Sequence, residues 1–444
     1  MNDHEFAAPI LYRKINVPPE LLTTARAEGT GQAFGGDVRI GDLRGRGRAD
    51  FLVYRSVDDA HDGGGMKPCF LGAFTIDGEL LWAAGQGGEQ PCRPGPVAVH
   101  DIDADGSAEA VCFFRDPVVE APTTSMANVV LQIRDGKTGE VKREAAPAEF
   151  RQCAGHGPNW AHQRILIANF RGKPTPRDFV VKLGSKIIAF DELLNVLWTY
   201  NIRWNEYGSC TAYIPSVGDI NGDGRDEVNG GYFVLAHDGT PLWEKPLGAN
   251  MDSVAITEWD GGHARAICSG FGHVMDDRGN VVLRLGEEIV PHGQEVRVGR
   301  FVDGDPLPQM IIRCNGHAPD VVIVDTKGEI RKKLRLNSSP NQTGMEIVEW
   351  DGPGRTHVLY NGGMLWRPME GASVALPGLP EPTGGRMGWY HCIPADVCGD
   401  GREEIVLYNP WEPSIYIYTP DPLDEAAYEG YHPGPRQYNA RLMD

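Results

Sequence analysis

The chain of 444 residues carries 61 acidic and 42 basic side chains, which gives a formal net charge of −19. Nucleic acids and membrane surfaces are anionic and would repel such a chain, so neither is expected as a partner. No run approaches the ~20 apolar residues of a membrane-spanning helix.

The N-terminal sequence and the cysteines indicate a compartment. The chain starts with Met-Asn-Asp-His-Glu-Phe, without the basic and apolar regions of a signal sequence. Nine scattered cysteines are an odd number, and none lies in a Cys-x-x-Cys pair, which is typical of a reducing environment. We therefore expect a cytoplasmic protein, or a secreted one if a leader was removed.

A carboxylate-rich phrase recurs along the chain, each time between two short apolar runs. It reads Asp-Ile-Asp-Ala-Asp-Gly-Ser-Ala-Glu at 101–109 and Asp-Ile-Asn-Gly-Asp-Gly-Arg-Asp-Glu at 219–227, with weaker copies at 42–47 and 396–401. A fixed phrase that returns at a long period indicates a repeat architecture.

In chain order, the predicted elements are short strands separated by turns. Residues 10–17 form the first strand, and the repeated units begin near Asp37, Val97, Ile165, Ser216, Ser253, Val296, Met345 and Cys392. Several units contain a second signal, an Asp-Gly turn before an outer hydrophobic pair, as at 77–82 and 238–243. Units of about 40 to 60 residues that hold several short strands are typical of propeller blades.

We therefore predict an all-β protein with a single β-propeller domain over 1–444. The prediction is eight blades, or seven if the first and last units share one blade. Residues 1–20 are expected to close the ring by adding an outer strand to the last blade, because closure removes exposed strand edges. Residues 421–444 are assigned to a C-terminal tail.

The carboxylate phrases place side-chain oxygens at alternate positions around a glycine turn, which suits a hard cation such as calcium. We predict structural calcium at both full copies and no organic cofactor. The predicted ligands are Asp101, Asp103, Asp105, Glu109, Asp219, Asn221, Asp223 and Glu227. The alternative is a turn in which these side chains bond only to the backbone. In the weaker copies Arg44, Arg46 and Cys398 replace ligands, so no metal is expected there.

The opposite face of the ring is the predicted ligand site. The carboxylate phrases are the predicted turns between the first and second strands of each blade, on one face of the ring. The residues just before each first strand and just after each second strand therefore lie on the other face, around the other mouth. Histidine, tyrosine, arginine and tryptophan concentrate there, and such concave polar and aromatic mouths commonly bind ligands. The predicted substrate-binding residues are His156, Asn159, Trp160, Tyr232, His273, His292, Gln294, His317, Tyr390, His391 and Trp411.

Histidine, tyrosine and arginine together suit β-elimination on a uronic acid. Arginine neutralises the substrate carboxylate and thereby acidifies the neighbouring C–H, while His and Tyr remove that proton and protonate the leaving oxygen. The candidate catalytic residues are His162, Tyr213, Arg164, Tyr207 and Arg203, with Arg164 and Arg203 as alternatives for the carboxylate and Tyr207 as the alternative to Tyr213. Neither a Gly-x-Ser-x-Gly nor a His-Glu-x-x-His phrase is present.

The frame at 219–232, with Asp-Gly-Thr-Pro-Leu-Trp at 238–243, resembles β-propeller polysaccharide lyases, including the rhamnogalacturonan, ulvan and rhamnose–glucuronate lyases. Asn-Trp-Ala-His-Gln-Arg at 159–164 is similar to the segment that carries a catalytic-site histidine in those enzymes. The resemblance implies a seven- or eight-bladed propeller that cleaves a uronate-containing glycan or oligosaccharide by β-elimination. The chain departs from the family at 210–213 and 250–252, where Cys-Thr-Ala-Tyr and Asn-Met-Asp replace a Gly-His pair and a His-Ala-Asp.

Two other classes of function stay open beside the lyase prediction. The carboxylate loops also resemble integrin-type repeats, which would make the chain a non-catalytic propeller that binds glycan or protein. A different propeller enzyme, such as a hydrolase or a quinone-dependent dehydrogenase, is the third alternative.

Overall fold

The computed structural model describes residues 7–24, 36–56, 66–91, 97–115, 129–151, 164–204, 211–340, 342–383, 388–410, 412–421, 428 and 430–440. Within these residues the chain is almost entirely β-structure, as predicted. The exceptions are helices α1 (Pro19–Thr24) and α2 (Ala148–Arg151) and a 3-10 turn at Gln437–Asn439. None of the helices described is long and apolar enough to cross a membrane.

The described strands form eight blades of four strands each, with blades 1 and 2 joined where β5 pairs with β7, which confirms the predicted propeller. Blade 1 has β2 (Gly36–Gly41), β3 (Asp50–Ser56), β4 (Met66–Thr75) and β5 (Leu80–Pro91); blade 2 has β6 (Val97–His100), β7 (Glu109–Arg115), β8 (Val129–Arg134) and β9 (Val141–Ala145). Blade 3 has β10 (Ile165–Ala168), β11 (Asp178–Leu183), β12 (Lys186–Phe190) and β13 (Val196–Asn201); blade 4 has β14 (Ser216–Gly218), β15 (Glu227–Asn229), β16 (Phe233–Leu235) and β17 (Pro241–Glu244).

The second half of the ring repeats this plan. Blade 5 has β18 (Val254–Glu258), β19 (Ala264–Cys268), β20 (His273–Met275) and β21 (Val281–Arg284); blade 6 has β22 (Glu295–Gly299), β23 (Gln309–Arg313), β24 (Asp320–Val324) and β25 (Ile330–Arg335). Blade 7 has β26 (Met345–Val348), β27 (Val358–Asn361), β28 (Met364–Arg367) and β29 (Ala372–Ala375); blade 8 has β30 (His391–Ala395), β31 (Glu404–Tyr408), β32 (Ser414–Thr419) and β1 (Ile10–Asn16).

Successive strands of a blade pair antiparallel, and the last blade takes its fourth strand from the start of the chain. β1 pairs with β32 from Ile10 opposite Thr419 to Asn16 opposite Ser414. Blade 8 in turn packs against blade 1, because Ile393 and Ile415 share a core cluster with Val38 and Phe51. The ring is therefore closed by side-chain packing between the last and first blades.

Burial falls from the middle strands of a blade to its outer strand. The middle strands of blade 3, β11 and β12, are buried at every residue because neighbouring blades cover both faces. The outer strands β9 and β25 are mostly exposed and carry the basic sequences VKREA and IRKKLR. Charged outer edges of this kind prevent edge-to-edge association.

The repeated Leu-Trp phrase connects one blade to the next. Trp198 of blade 3 lies over the turn of blade 4 that contains Gly239, and its Nε1 donates to His237 O at 2.8 Å. Gly239 has φ +82°, and a Cβ there would lie 2.7 Å from the Trp198 ring. Trp82 contacts Gly139 and Trp243 contacts Gly279 in the same way. The Asp-Gly turn therefore needs glycine both for its backbone and for the tryptophan of the preceding blade.

Candidate active site

Three neighbouring blades present polar side chains at the same mouth of the ring. Tyr213 lies just before the first strand of blade 4, Asn250 and Asp252 just before that of blade 5, and His292 just before that of blade 6. First strands of successive blades lie side by side around the axis. The residues just before the first strands of blades 4, 5 and 6 therefore lie close together, as the repeated blade pattern predicts.

These four side chains form one hydrogen-bonded network. Asn250 Nδ2 donates to Tyr213 Oη at 3.5 Å and to Asp252 Oδ1 at 2.6 Å. The other oxygen of Asp252 accepts from His292 Nε2 at 3.1 Å. The network joins a phenol to an imidazole through an amide and a carboxylate.

Asp252 controls the charge of His292. The hydrogen bond from His292 to Asp252 raises the pKa of the imidazole, and burial opposes that shift. The Asp252 side chain is 5% exposed, whereas that of His292 is 45% exposed and open to a ligand. Because Nε2–H is directed at the carboxylate, Nδ1 is the nitrogen that can take up a proton.

The backbone of His292 is fixed by the end of the neighbouring strand pair. Gly316 N donates to His292 O at 2.8 Å, and His292 N donates to Cys314 O at 3.2 Å. Gly316 has φ +54°, a conformation that favours glycine. The Gly-His pair at 316–317 therefore supports His292 from behind, while His317 itself is exposed.

Several predicted substrate-binding residues lie at the mouth end of their strands but are buried. Tyr232 donates its hydroxyl to Ala249 O at 2.6 Å, and Tyr390 donates to Glu412 Oε2 at 2.8 Å. His391 is 3% exposed and lies 5.4 Å from the Tyr408 ring. His273 is 3% exposed, and burial together with Arg284 lowers its pKa to about 4. These side chains shape the floor of the mouth.

The two candidate arginines differ in exposure. Arg203 is 73% exposed and lies 3.6 Å from Glu244. Thr211 N donates to Trp204 O at 3.2 Å, which brings the backbone beside Arg203 close to Tyr213. Arg164 is 2% exposed and points into the central channel, where it donates to Ala440 O at 3.4 Å. Arg203 is therefore the more accessible of the two, and it lies where the outermost strands of blades 3 and 4 end.

Some predicted residues cannot be placed. His156, Asn159, Trp160, His162, Tyr207 and Trp411 lie outside the residues that the structure describes. Gln294 lies two residues after His292 and is half-buried. Its backbone N–H donates to Arg313 O at 2.9 Å.

Asp252 was missed by the sequence analysis, although a signal was present. The motif at 250–252 departs from His-Ala-Asp at its first two residues but keeps the aspartate. That aspartate, two residues before β18, is the side chain that accepts from His292.

The carboxylate loops lie on the opposite face, and the first of them contains a cation from the chain itself. Lys142 Nζ lies 2.6 Å from Asp103, 2.9 Å from Glu109 and 3.5 Å from Asp105. Asp101 accepts the backbone N–H groups of Asp105 and Gly106, both at 3.0 Å. The lysine ammonium therefore lies among the predicted calcium ligands of the first loop, where ligand atoms of Asp101, Asp103 and Glu109 lie within 4.8 Å of one another.

Blades 1 and 3 use arginine in the same way. Arg44 makes two hydrogen bonds to Asp50, and Arg171 Nε donates to Asp178 at 2.7 Å. Each of these acids is the first residue of the second strand of its blade, as Glu109 is.

The second full loop has an acid at that position, and no cation equivalent to Lys142 lies beside it among the residues that the structure describes. Glu227 is buried, and burial together with repulsion from Asp223, Asp219 and Asp226 raises its pKa to about 8. Strand pairing places Leu242 where blade 2 has Lys142, since Pro241 and Val141 occupy equivalent positions opposite the third strand.

His237, which the sequence analysis did not name, adds a further donor to the second loop. Ligand atoms of Asp223, Glu227 and His237 lie within 4.8 Å of one another. Asp219 and Asn221 use oxygens to accept backbone N–H groups, which shapes the loop around the acids. Carboxylate oxygens with excess negative charge suit a hard divalent cation, whereas His237 Nε2 already accepts from Arg225 Nη1 at 2.7 Å.

The protein is an eight-bladed propeller whose mouth carries histidine and tyrosine side chains. Comparison with known proteins confirms the predicted resemblance to β-propeller polysaccharide lyases. The chain is 24% identical over 436 residues to rhamnogalacturonan endolyase YesW of Bacillus subtilis (strain 168), which covers 86% of this chain and 67% of YesW. It is 24% identical over 448 residues to rhamnogalacturonan exolyase YesX of the same organism, covering 86% and 70%.

Solved structures show that the fold is shared. The crystal structure of rhamnogalacturonan lyase YesW superposes with a TM-score of 0.69 at 19% identity, over 92% of this chain and 75% of that one. The structure of exotype rhamnogalacturonan lyase YesX gives a TM-score of 0.63 at 19% identity, over 93% and 75%. No protein-family model matches the chain.

Proposed function

We propose that this protein is a polysaccharide lyase that cleaves a uronate-containing glycan or oligosaccharide of the rhamnogalacturonan type by β-elimination. The observation that carries the proposal is the pair of Asp252 and His292, linked through Asn250 to Tyr213 at an open mouth. The likeness to two rhamnogalacturonan lyases supplies the substrate class.

In the proposed reaction, His292 is the base and Tyr213 the acid. Neutral His292 removes the proton from the carbon next to the uronate carboxylate through Nδ1, while Tyr213 gives its proton to the glycosidic oxygen as the C–O bond breaks. The electrons of the broken C–H bond form a carbon–carbon double bond. Solvent then returns a proton to Tyr213 and removes one from His292.

Arg203 is the proposed partner of the substrate carboxylate. Its exposed guanidinium can pair with a carboxylate in two parallel hydrogen bonds, which stabilises the negative charge that develops when the C–H proton leaves. His162 and Tyr207 stay candidates for proton transfer on the basis of the sequence motifs alone.

Calcium binding is proposed at the second carboxylate loop (219–227) and not at the first (101–109). The predicted ligands Asp219, Asn221, Asp223 and Glu227 would hold it with oxygen atoms, and the ion would neutralise the buried carboxyl of Glu227 and stabilise the turn. The first loop is left out because Lys142 already donates to Asp103 and Glu109. The ion lies on the face opposite the mouth and takes no part in the reaction.

Ultraviolet absorbance tests the proposed reaction directly. The double bond formed by elimination is conjugated with the carboxylate and absorbs in the near ultraviolet, whereas hydrolysis creates no such group. The protein should be incubated with rhamnogalacturonan, other uronate-containing glycans and their oligosaccharides. A rise with one substrate supports the lyase and names its glycan. Measurable binding without any rise would replace the lyase with the non-catalytic alternative.

A further inference from the structure

The Asp252–His292 pair joins two backbone segments that belong to different blades. Asp252 precedes β18, the first strand of blade 5, and His292 precedes β22, the first strand of blade 6. Both segments contact Ser269 and Gly270, which directly follow β19, the second strand of blade 5. The distance between the carboxylate and the imidazole therefore depends on how each segment is joined to residues 269–270.

A pair of serines joins the segment of Asp252 to this strand end. Ser253, the residue after Asp252, donates its backbone N–H to Ser269 Oγ at 3.1 Å. The carbonyl of Ser253 accepts from Ser269 N at 2.9 Å. Both serines are buried, with 2% and 0% exposure. Breaking either hydrogen bond would leave a buried polar group without a partner, so the two bonds fix the backbone next to Asp252.

The hydroxyl of Ser253 also reaches blade 6. Ser253 Oγ accepts from Val296 N in a long hydrogen bond of 3.4 Å, and Val296 lies four residues after His292. Val296 is 2% exposed. One buried serine therefore links the strand that follows Asp252 to the strand that follows His292.

Gly293 joins the segment of His292 to the same strand end. Gly293 N donates to Gly270 O at 2.9 Å. A Cβ on Gly293 would lie 2.2 Å from Ser269 O and 2.7 Å from Gly270 O. Both oxygens belong to the backbone, so neither can rotate away as the end of a side chain could. Position 293 therefore needs glycine because another backbone approaches it closely.

These contacts hold His292 from a second side. The end of the second strand of blade 6 already fixes His292 through Cys314 and Gly316. Gly293 adds the end of the second strand of blade 5. In the part of the chain that the structure describes, Asp252 is the charged group that acts on the imidazole, through its hydrogen bond and through its charge.

We propose that Ser253, Ser269 and Gly293 are positioning residues that set the 3.1 Å contact between Asp252 and His292. They act through the backbone, by joining two segments from different blades to one strand end. Their use in catalysis rests on the proposed lyase function, whereas their effect on the Asp252–His292 pair stands on the contacts alone.

NMR titration of the His292 imidazole tests the positioning directly, with its signal assigned by its absence in His292→Gln. Gly293→Ala forces the backbone away from residues 269–270, so His292 should lose its hydrogen bond to Asp252. Its pKa should then fall towards about 6.5, the ordinary value for histidine. Ser269→Ala removes only the acceptor of Ser253 N and should lower the pKa of His292 by a smaller amount.

Two matched variants separate positioning from a general loss of stability. Gly299 lies at the other end of β22, and a Cβ there would lie 2.7 Å from His357 Nδ1. Ser414 is 3% exposed and donates its hydroxyl to Asn16 Oδ1 at 2.9 Å. Gly299→Ala and Ser414→Ala should both lower the unfolding temperature and leave the titration of His292 unchanged.

The positioning is overturned if His292 titrates as in the unmodified protein when Ser269→Ala and Gly293→Ala are folded. An equal shift in Gly299→Ala and Ser414→Ala would overturn it as well. If Gly293→Ala does not fold, Ser269→Ala against Ser414→Ala decides the question.

Kinetics show whether the positioning serves the reaction. Gly293→Ala should lower kcat by about tenfold or more, because a displacement of about 1 Å can cost about 10²-fold in rate. It should also move the acid limb of kcat/KM to lower pH, since a base with a lower pKa stays neutral at lower pH. Gly299→Ala should leave that limb in place.

The two proposals can fail separately. A shift in the NMR titration without a shift in the acid limb would overturn the use of these residues in catalysis. If the unmodified protein eliminates no glycan, the lyase proposal fails, and the titration of His292 still decides whether Ser253, Ser269 and Gly293 position the pair.

Discussion

Asp252 and His292 give the proposed reaction a defined pH dependence. His292 must be neutral to act as a base, and Asp252 raises its pKa, so activity should fall on the acid side at a pH above the value for an ordinary histidine. Asp252→Asn removes the carboxylate and should move this acid limb to lower pH. Profiles of kcat/KM against pH for both proteins provide the measurement. An unchanged acid limb would exclude His292 as the titrating base.

Tyr213 should affect turnover far more than binding. Tyr213→Phe keeps the ring and removes only the hydroxyl to which Asn250 donates. Loss of a general acid typically costs about 10²- to 10⁴-fold in rate, so kcat should fall by at least about 10²-fold with little change in KM. Tyr232→Phe is a matched control, because that hydroxyl bonds a backbone carbonyl in the floor of the mouth. Equal losses in both variants would argue against an acid role for Tyr213.

The sequence predicted which residues lie at the mouth, because the blade repeat shows where each first strand begins. Tyr213 and His292 were predicted because each stands just before a first strand. The hydrogen bonds that link them were not predictable, since they depend on rotamers and on the spacing between blades. The burial of Arg164 was also hidden, because its partner Ala440 lies 276 residues away in the chain.

At the scale of elements, the two carboxylate loops should respond differently to calcium. Calcium at about 100 times its Kd should stabilise the protein by about 2.7 kcal/mol if it binds the folded state at one site. Glu227→Gln should abolish this gain, whereas Glu109→Gln should keep it because Lys142 occupies the first loop. Thermal unfolding with calcium and with chelator measures both. A gain that survives Glu227→Gln and vanishes with Glu109→Gln would reverse the assignment.

The second carboxylate loop also predicts how stabilisation by calcium depends on pH. In the absence of metal, Glu227 has a pKa of about 8 instead of about 4.5, so the folded state holds a proton that the unfolded state releases as pH rises. Stability without calcium should therefore decline between about pH 4.5 and 8. Calcium competes with this proton, and its stabilising effect should grow over the same range.

On the scale of the whole molecule, the ring was readable from the sequence because each blade repeats the same turn requirements. Gly106 and Gly224 have positive φ angles at the same place in their loops. Because each tight turn needs glycine there, the same residue pattern recurs in the sequence. Contacts between distant parts of the chain left no such pattern. Lys142 reaches Glu109 from a strand 33 residues later, and Arg436 reaches Asp226 across 210 residues.

Closure of the ring makes the N-terminal strand a determinant of global stability. Ile15 of β1 is 1% exposed in the core shared by blades 8 and 1, and it lies opposite Ile415. Ile15→Ala should lower the free energy of unfolding by about 2–5 kcal/mol through lost burial and the cavity left behind. Leu11→Ala is the matched control on the same strand, where 39% exposure predicts a change within about 0.5 kcal/mol.

Urea unfolding followed by tryptophan fluorescence measures both variants of β1. If blade 8 opens by itself when β1 is weakened, the transition should split in two, because a blade without its outer strand exposes an unpaired edge. A single transition at lower urea means that the ring unfolds as one unit. Equal midpoints for Ile15→Ala and the unmodified protein would show that the packing of β1 in the core between blades 8 and 1 does not stabilise the ring.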